Sequence, residues 1–178
     1  MCLKLHVPEY AELDFRERLL RDPATLAYNR GYDLTFAGYH RDTGCIDFPE
    51  DDWQSWYDRW VGCEPERFYA YVVRENDGAF LGEVNLYAAD EPGAYNMGIV
   101  LAAEYRGQGY AEEALHLLLR QAFEALGAQA VHNDFEETRA AALRVHLNAG
   151  FRVLERRDGL LRLSLTREDY LCGRQREV

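Results

Sequence analysis

The sequence predicts an α/β fold, a single mixed β-sheet flanked by helices that combines antiparallel hairpins with one parallel strand-helix-strand crossover. Three observations predict it. The runs RFYAYVVR (67–74) and AFLGEVNLY (79–87) are strand-like and are separated by Glu75-Asn76-Asp77-Gly78, a turn in which Gly78 can take positive φ, so they form a hairpin. Beyond residue 94 strand and helix periods alternate, which demands a parallel crossover. The chain has 178 residues, 48% of them hydrophobic, enough for one core in one domain.

Taken in order, Leu3, Leu5 and Val7 alternate as in a short strand, and residues 9–20 place Leu13, Leu19 and Leu20 among charges as a surface helix does. Residues 28–49 are rich in Gly, Tyr and Asp without a period, an aromatic loop. Trp53, Trp56, Tyr57 and Trp60 recur at helical spacing and line one face of a helix over 50–61. A third strand spans 94–101. After Arg-Gly-Gln-Gly, the residues Ala111, Ala114, Leu115, Leu118, Ala122 and Leu126 trace a long amphipathic helix that Gly127 ends. Residues 128–134 read as a strand closed by Asp134, and Thr138 is the expected cap of a helix running to Asn148. Residues 151–156 and 160–165 flank Asp158-Gly159, a preferred two-residue hairpin turn.

Composition narrows the function. The net charge is -11, and residues 1–93 hold 9 basic against 19 acidic side chains, so generic nucleic-acid binding is disfavoured and a cationic small molecule suits the chain. The basic residues are 19 Arg and one Lys, Lys4, which leaves no central lysine for a Schiff base or a phosphate-binding P-loop. Cys2, Cys45, Cys63 and Cys172 form no CxxC pair and lack His at zinc spacing, so no metal site is expected and the thiols read as reduced. The N-terminus has no signal-peptide core and no run reaches transmembrane length, so a cytoplasmic location without membrane association is expected.

The chemistry centres on Arg106-Gly107-Gln108-Gly109-Tyr110-Ala111, between a strand and the start of a long helix. Glycines there let the backbone turn and approach a ligand, and free N–H groups of a first helical turn form an anion site that fits a diphosphate. The dinucleotide fingerprint would need Gly where Glu112 stands, and a P-loop would need Gly-Lys-Ser/Thr. The pattern R-x-x-G-x-A resembles the signature of the GNAT superfamily of N-acetyltransferases, and residues 140–151, closing on Gly150-Phe151, resemble that family's second helix. The similarity covers about 67–165; the first 66 residues match only in general order and read as acceptor-side helices and loop.

The resemblance implies acetyl-CoA as acyl donor and no metal. Gly107, Gln108, Gly109, Tyr110 and Ala111 would present backbone amides to the coenzyme A pyrophosphate, with Arg106 supporting the loop or its phosphates. Ile99, Val100 and Leu101 occupy the strand whose backbone pairs with pantetheine and the acetyl carbonyl. Arg139 stands where the family often has an Asn near the coenzyme arm. His146 stands where the family often has the Tyr that protonates the departing thiolate, and an imidazole can donate a proton near neutral pH. Asp134 lies at an offset that resembles a carboxylate position of aminoglycoside 6'-N-acetyltransferases and ribosomal-protein alanine N-acetyltransferases, which makes it one candidate base. Glu83 is the other; as a strand residue it is expected to be exposed. Tyr32, Tyr39, Asp47, Trp53 and Trp56, from the aromatic and acidic first half, are expected to bind the acceptor, although a Trp stripe is more often core and an acid run more often a solvated loop.

The leading expectation is direct acetyl transfer to the amine of a cationic small molecule or peptide. No cysteine has an adjacent His, and Ser55 and Ser164, the only serines, lie outside any GxSxG. The alternative is a non-catalytic acyl-CoA sensor or interaction module, which would keep the Arg106 loop but need neither Asp134 nor His146. A homodimer is compatible with the sequence but not fixed by it.

Overall fold

The computed structural model describes residues 2–174. Seven strands form one sheet in the order β1-β2-β3-β4-β5-β7-β6. They are β1 (Leu3–His6), β2 (Arg67–Arg74), β3 (Phe80–Ala88), β4 (Ala94–Leu101), β5 (Ala130–Glu136), β6 (Arg152–Arg157) and β7 (Leu160–Thr166). All pairings are antiparallel except β4 with β5. The N-terminal stretch thus contributes an edge strand as well as helices and loop.

Among the described residues six α-helices flank the sheet: α1 (Leu13–Arg21), α2 (Pro23–Leu26), α3 (Glu50–Trp60), α4 (Tyr110–Arg120), α5 (Ala140–Asn148) and α6 (Arg167–Arg174). A π-helical turn, Gln121–Ala125, extends α4 before Gly127 takes φ 70°. Among the described residues no helix is long and apolar enough to cross a membrane.

β2 shows why RFYAYVVR lacks a polar alternation. Phe68, Ala70 and Val72 enter the main core beneath α4, while Tyr69, Tyr71 and Val73 enter a second cluster with Phe15, Trp56 and Trp60 from α1 and α3. The strand is buried on both faces, so both sets must be apolar or aromatic. A third cluster of Leu13, Leu20, Leu26, Cys45, Phe48 and Trp53 ties the 28–49 loop to α1–α3. Gly44 makes that contact possible, since a Cβ there would lie 2.2 Å from the Leu26 carbonyl oxygen.

Three local expectations are corrected. β5 runs to Glu136, so Asp134 lies within the strand instead of closing it. Ladder bonds with β7 continue through Glu136↔Leu160 and hold those last residues extended. Thr138 does not cap α5: Arg139 is the N-cap residue and makes no side-chain capping bond. Glu83 is buried, at 5% exposure, because α1 and α3 cover its face of the sheet. At the β6–β7 turn, Asp158 and Gly159 take φ 51° and 78°, as the Asp-Gly hairpin predicts.

Candidate active site

The site begins where the sheet divides. β4 and β5 pair only at Ala94↔Ala130, Tyr95↔Val131 and Asn96↔His132, while β4 remains paired to β3 through Leu101. β5 meanwhile follows β7 to Glu136. The two strands therefore diverge beyond Asn96 and His132, and among the described residues the β4 edge from Met97 onward has no strand partner on that side. Such an edge offers N–H and C=O groups to an extended ligand.

At the end of β4, a short 3-10 turn (Ala103–Tyr105) leads into the glycine loop. Gly107 and Gly109 have φ of 73° and 86°, and Gly109 is the N-cap residue of α4. A side chain at either position would be strained, so the Gly-Gln-Gly order is a backbone requirement. The first turn of an eleven-residue helix then faces the loop, a geometry that fits a pyrophosphate. Tyr110 and Ala111 begin that helix; the Tyr110 hydroxyl accepts from Arg74, 3.1 Å away, and its ring is buried, so only its backbone can face a ligand. Gln108 Nε2 donates to the Glu104 carbonyl at 2.7 Å.

Arg106 points into the protein. Its Nε donates to Leu101 O at 3.0 Å, and its Nη groups donate to Ala24 O and Thr25 O at 3.4 and 2.5 Å. Thr25 Oγ1 accepts from the Ala103 amide at 2.9 Å. These bonds dock α2 against the end of β4, so Arg106 supports the loop instead of pointing to phosphates. Ile99 packs on the main core, Leu101 is buried, and Val100 stands opposite Glu83 in the β3–β4 register.

Glu83, Asn85, Gly98 and Val100 share the face opposite α4. A Cβ at Gly98 would sit 2.6 Å from the Asn85 amide nitrogen, so the glycine leaves room for that side chain. Arg16 of α1 and the Tyr69 hydroxyl both donate to Glu83 Oε2. The guanidinium also lies 4.4 Å from the Trp56 ring centre and 5.1 Å from that of Phe48. Burial works against the Arg16 charge, but Glu83 and Tyr69 hold it above its ordinary pKa. Burial and the Glu83 charge push the Tyr69 phenol well up. The triad is a fixed ion pair with a neutral phenol.

On the β5 arm, Asp134 is exposed and stands opposite Arg162 of β7. Its side chain points away from the core that Val131 and Phe135 enter, onto the face that carries Glu83. Two residues on, Glu136 Oε2 is buried without a hydrogen bond, 3.7 Å from Arg139 Nη1. Arg139 stacks 4.4 Å from the ring centre of Tyr28 and 5.6 Å from that of Phe135. Burial and the Glu136 carboxylate push the Tyr32 phenol up to about 12.

His146 is buried between Phe135 and Phe151. One ring nitrogen, Nδ1, contacts the Ala142 carbonyl at 2.8 Å, and Nε2 contacts Asn133 Nδ2 at 2.9 Å. A carbonyl can only accept, so Nδ1 carries the proton and Nε2 accepts from the amide. Burial, reinforced by Arg139, lowers the imidazole pKa despite the Ala142 bond. Both nitrogens are thus engaged inside the protein.

Among the acceptor residues expected from sequence, Trp56 and Tyr32 abut the charged groups just described. Tyr39 donates to Asn29 O at 2.5 Å, Asp47 contacts His40 at 2.9 Å, and the Trp53 indole donates to Phe48 O at 3.1 Å, all within the loop and its packing. Sequence reasoning missed Arg16, Tyr28, Tyr69 and Glu136. Glu136 was detectable, because it shares a strand face with Asp134 at spacing two. The other three come from elements remote in sequence and carry no local pattern.

The comparisons agree with this geometry. A protein-family model described as an acetyltransferase (GNAT) domain matches residues 6–152, reaching further toward the N-terminus than the motifs alone do. An acetyltransferase of the GNAT family from Bacillus anthracis superposes with a TM-score of 0.72 at 15% identity, covering 94% of this chain and 96% of that one. A spermidine N-acetyltransferase from Vibrio cholerae, solved with CoA and spermine, gives 0.75 at 16% identity, covering 95% and 98%. A search of curated proteins gives no match. With the divided sheet, the glycine loop at α4 and a family match over most of its length, the chain belongs to the GNAT acetyltransferase domain family.

Proposed function

We propose that the protein transfers an acetyl group from acetyl-CoA directly to the amine of a small molecule or peptide. The divergence of β4 from β5 carries this reading, because it leaves an unpaired strand edge beside a helix N-terminus with the two glycines that a pyrophosphate needs. Pantetheine lies along Ile99, Val100 and Leu101, and backbone N–H groups there polarise the acetyl carbonyl. The amides of Gly107, Gln108, Gly109, Tyr110 and Ala111 hold the pyrophosphate, with Arg139 on the far side of the groove.

The acceptor enters over the face that carries Glu83, Asp134 and Glu136, with Trp56 and Tyr32 beside them. Asp134, exposed on the open arm of β5, takes the amine proton directly or through water. Glu83, committed to Arg16 and Tyr69, contributes a fixed charge pair in place of a mobile base. His146 acts by holding Asn133 and packing α5 against β5. Polyamines fit this reading: the Vibrio cholerae neighbour was solved with spermine, and the chain is strongly acidic. The test is release of free thiol from acetyl-CoA across a panel containing spermidine, an aminoglycoside and a peptide with a free α-amine. Turnover with one member supports transfer, and binding of acetyl-CoA without turnover on any member would leave the sensor reading in its place.

A further inference from the structure

The reaction needs a proton for the departing sulfur, and His146 has both ring nitrogens engaged. The group that spans the cleft is Tyr28. Its backbone follows α2, which Arg106 and Thr25 fasten to the end of β4, and its ring packs on the cluster around Leu26 and Phe48. From that side it reaches Arg139, the N-cap of α5 just beyond β5, whose guanidinium lies 4.4 Å from the ring centre. One ring therefore bridges the two arms that the divergence of β4 and β5 separates. Among the described residues its hydroxyl has no hydrogen-bond partner.

We propose that Tyr28 is a catalytic residue whose hydroxyl protonates the coenzyme A thiolate as the carbon–sulfur bond breaks. The proposal rests on the acetyl-transfer reading above. The neutral amine attacks the acetyl carbon and forms the C–N bond. Collapse of the tetrahedral intermediate breaks the C–S bond, and the electron pair goes to sulfur, which takes the phenolic proton. The phenolate beside Arg139 then recovers a proton from solvent, into which the amine proton has passed through Asp134. The charges around Tyr28 fit the step. Burial pushes the phenol above its ordinary pKa, Arg139 and Arg106 pull it down, and Glu83 and Glu136 add to the rise, so the group carries its proton at neutral pH. Those four residues come from β3, the glycine loop, the end of β5 and the N-cap of α5. The same arrangement assigns Arg139 the part of stabilising the phenolate that forms.

The experiment measures thiol release from acetyl-CoA with the fastest amine of the panel, together with acetyl-CoA affinity by calorimetry. Tyr28→Phe is expected to lower kcat by about 10- to 100-fold with acetyl-CoA affinity unchanged, in line with the usual value of general acid catalysis. Because a lost ring contact also slows an enzyme, a second variant carries 2,3,5-trifluorotyrosine at position 28, nearly the same shape with a more acidic phenol. Its alkaline limb of kcat is expected to move to lower pH, which a structural role would not cause. A kcat within roughly two-fold of the parent in Tyr28→Phe, or an unmoved limb in the fluorinated protein, overturns the assignment. Absence of turnover in the parent removes the transferase reading and this step with it, whereas a turning-over parent with an indifferent Tyr28→Phe removes Tyr28 alone.

Discussion

Arg16 and His146 are two buried groups that satisfy their charge or hydrogen bonds in opposite ways. Arg16 stays charged because Glu83 and Tyr69 compensate for the water it loses. Removing one member of such a pair strands the other, so Arg16→Met is expected to cost about 3 to 5 kcal/mol in urea unfolding. Adding Glu83→Gln to it should recover part of that loss, and equal stabilities for the single and double variants would mean that Glu83 is not ionised. His146 stays neutral, with a folded pKa below its unfolded value because burial disfavours the imidazolium. The unfolded chain therefore binds the proton first as pH falls. Stability contributed by neutral His146 is complete above about pH 6.5 and is lost as pH drops from there through the folded value. His146→Phe should remove this component, leaving a flatter stability profile between pH 7.5 and 5 than the parent shows. An unchanged profile would place the titration elsewhere.

At the scale of elements, the proposed coenzyme site rests on how β4 ends and α4 begins. Gly109 at φ 86° lets the chain turn into the helix, and no side chain caps its first amides. Gly109→Val puts a branched side chain where L-residues are strained and where the ligand must approach, so acetyl-CoA affinity should fall by at least about 10-fold in calorimetry. Undiminished affinity in a folded variant would move the pyrophosphate away from this loop. The glycines and Arg106 were legible in the sequence because a strand-to-helix turn that approaches a ligand restricts residue type locally. What Arg106 does was not. Its fork can serve phosphates or carbonyls, and only the docking of α2 beside β4 adds two α2 carbonyl oxygens to the one at Leu101.

For the molecule as a whole, the net charge of -11 acts over distance, while acids at the site have cationic neighbours. Glu83 has Arg16, Glu136 has Arg139 at 3.7 Å, and Asp134 stands opposite Arg162. The field should therefore guide a polycationic amine to the protein more than it binds one in place. With spermidine as acceptor, kcat/KM is expected to fall several-fold between about 0.05 and 0.3 M salt while kcat holds, because the Debye length shortens from about 14 to about 6 Å over that range. Salt-independent kcat/KM would mean that the acid runs of residues 28–58 are only a solvated surface.

The sequence by itself determined the strands, the helices α1, α3, α4 and α5, the one crossover, the β6–β7 turn and the glycine turn into α4, but neither α2 nor α6. Each depends on the period of a few neighbouring residues or on a glycine where φ must be positive. Tertiary structure decided the rest. It extended β5 to Glu136 by pairing it with β7, buried Glu83 by laying α1 and α3 over its strand, and engaged both nitrogens of His146. It also brought Arg16 to Glu83, and Tyr28 to Arg139, across 67 and 111 residues of chain. Local sequence encodes backbone preference within a few residues, whereas the partner that decides whether a charge is buried, paired or free is chosen only when the sheet and its covering helices assemble.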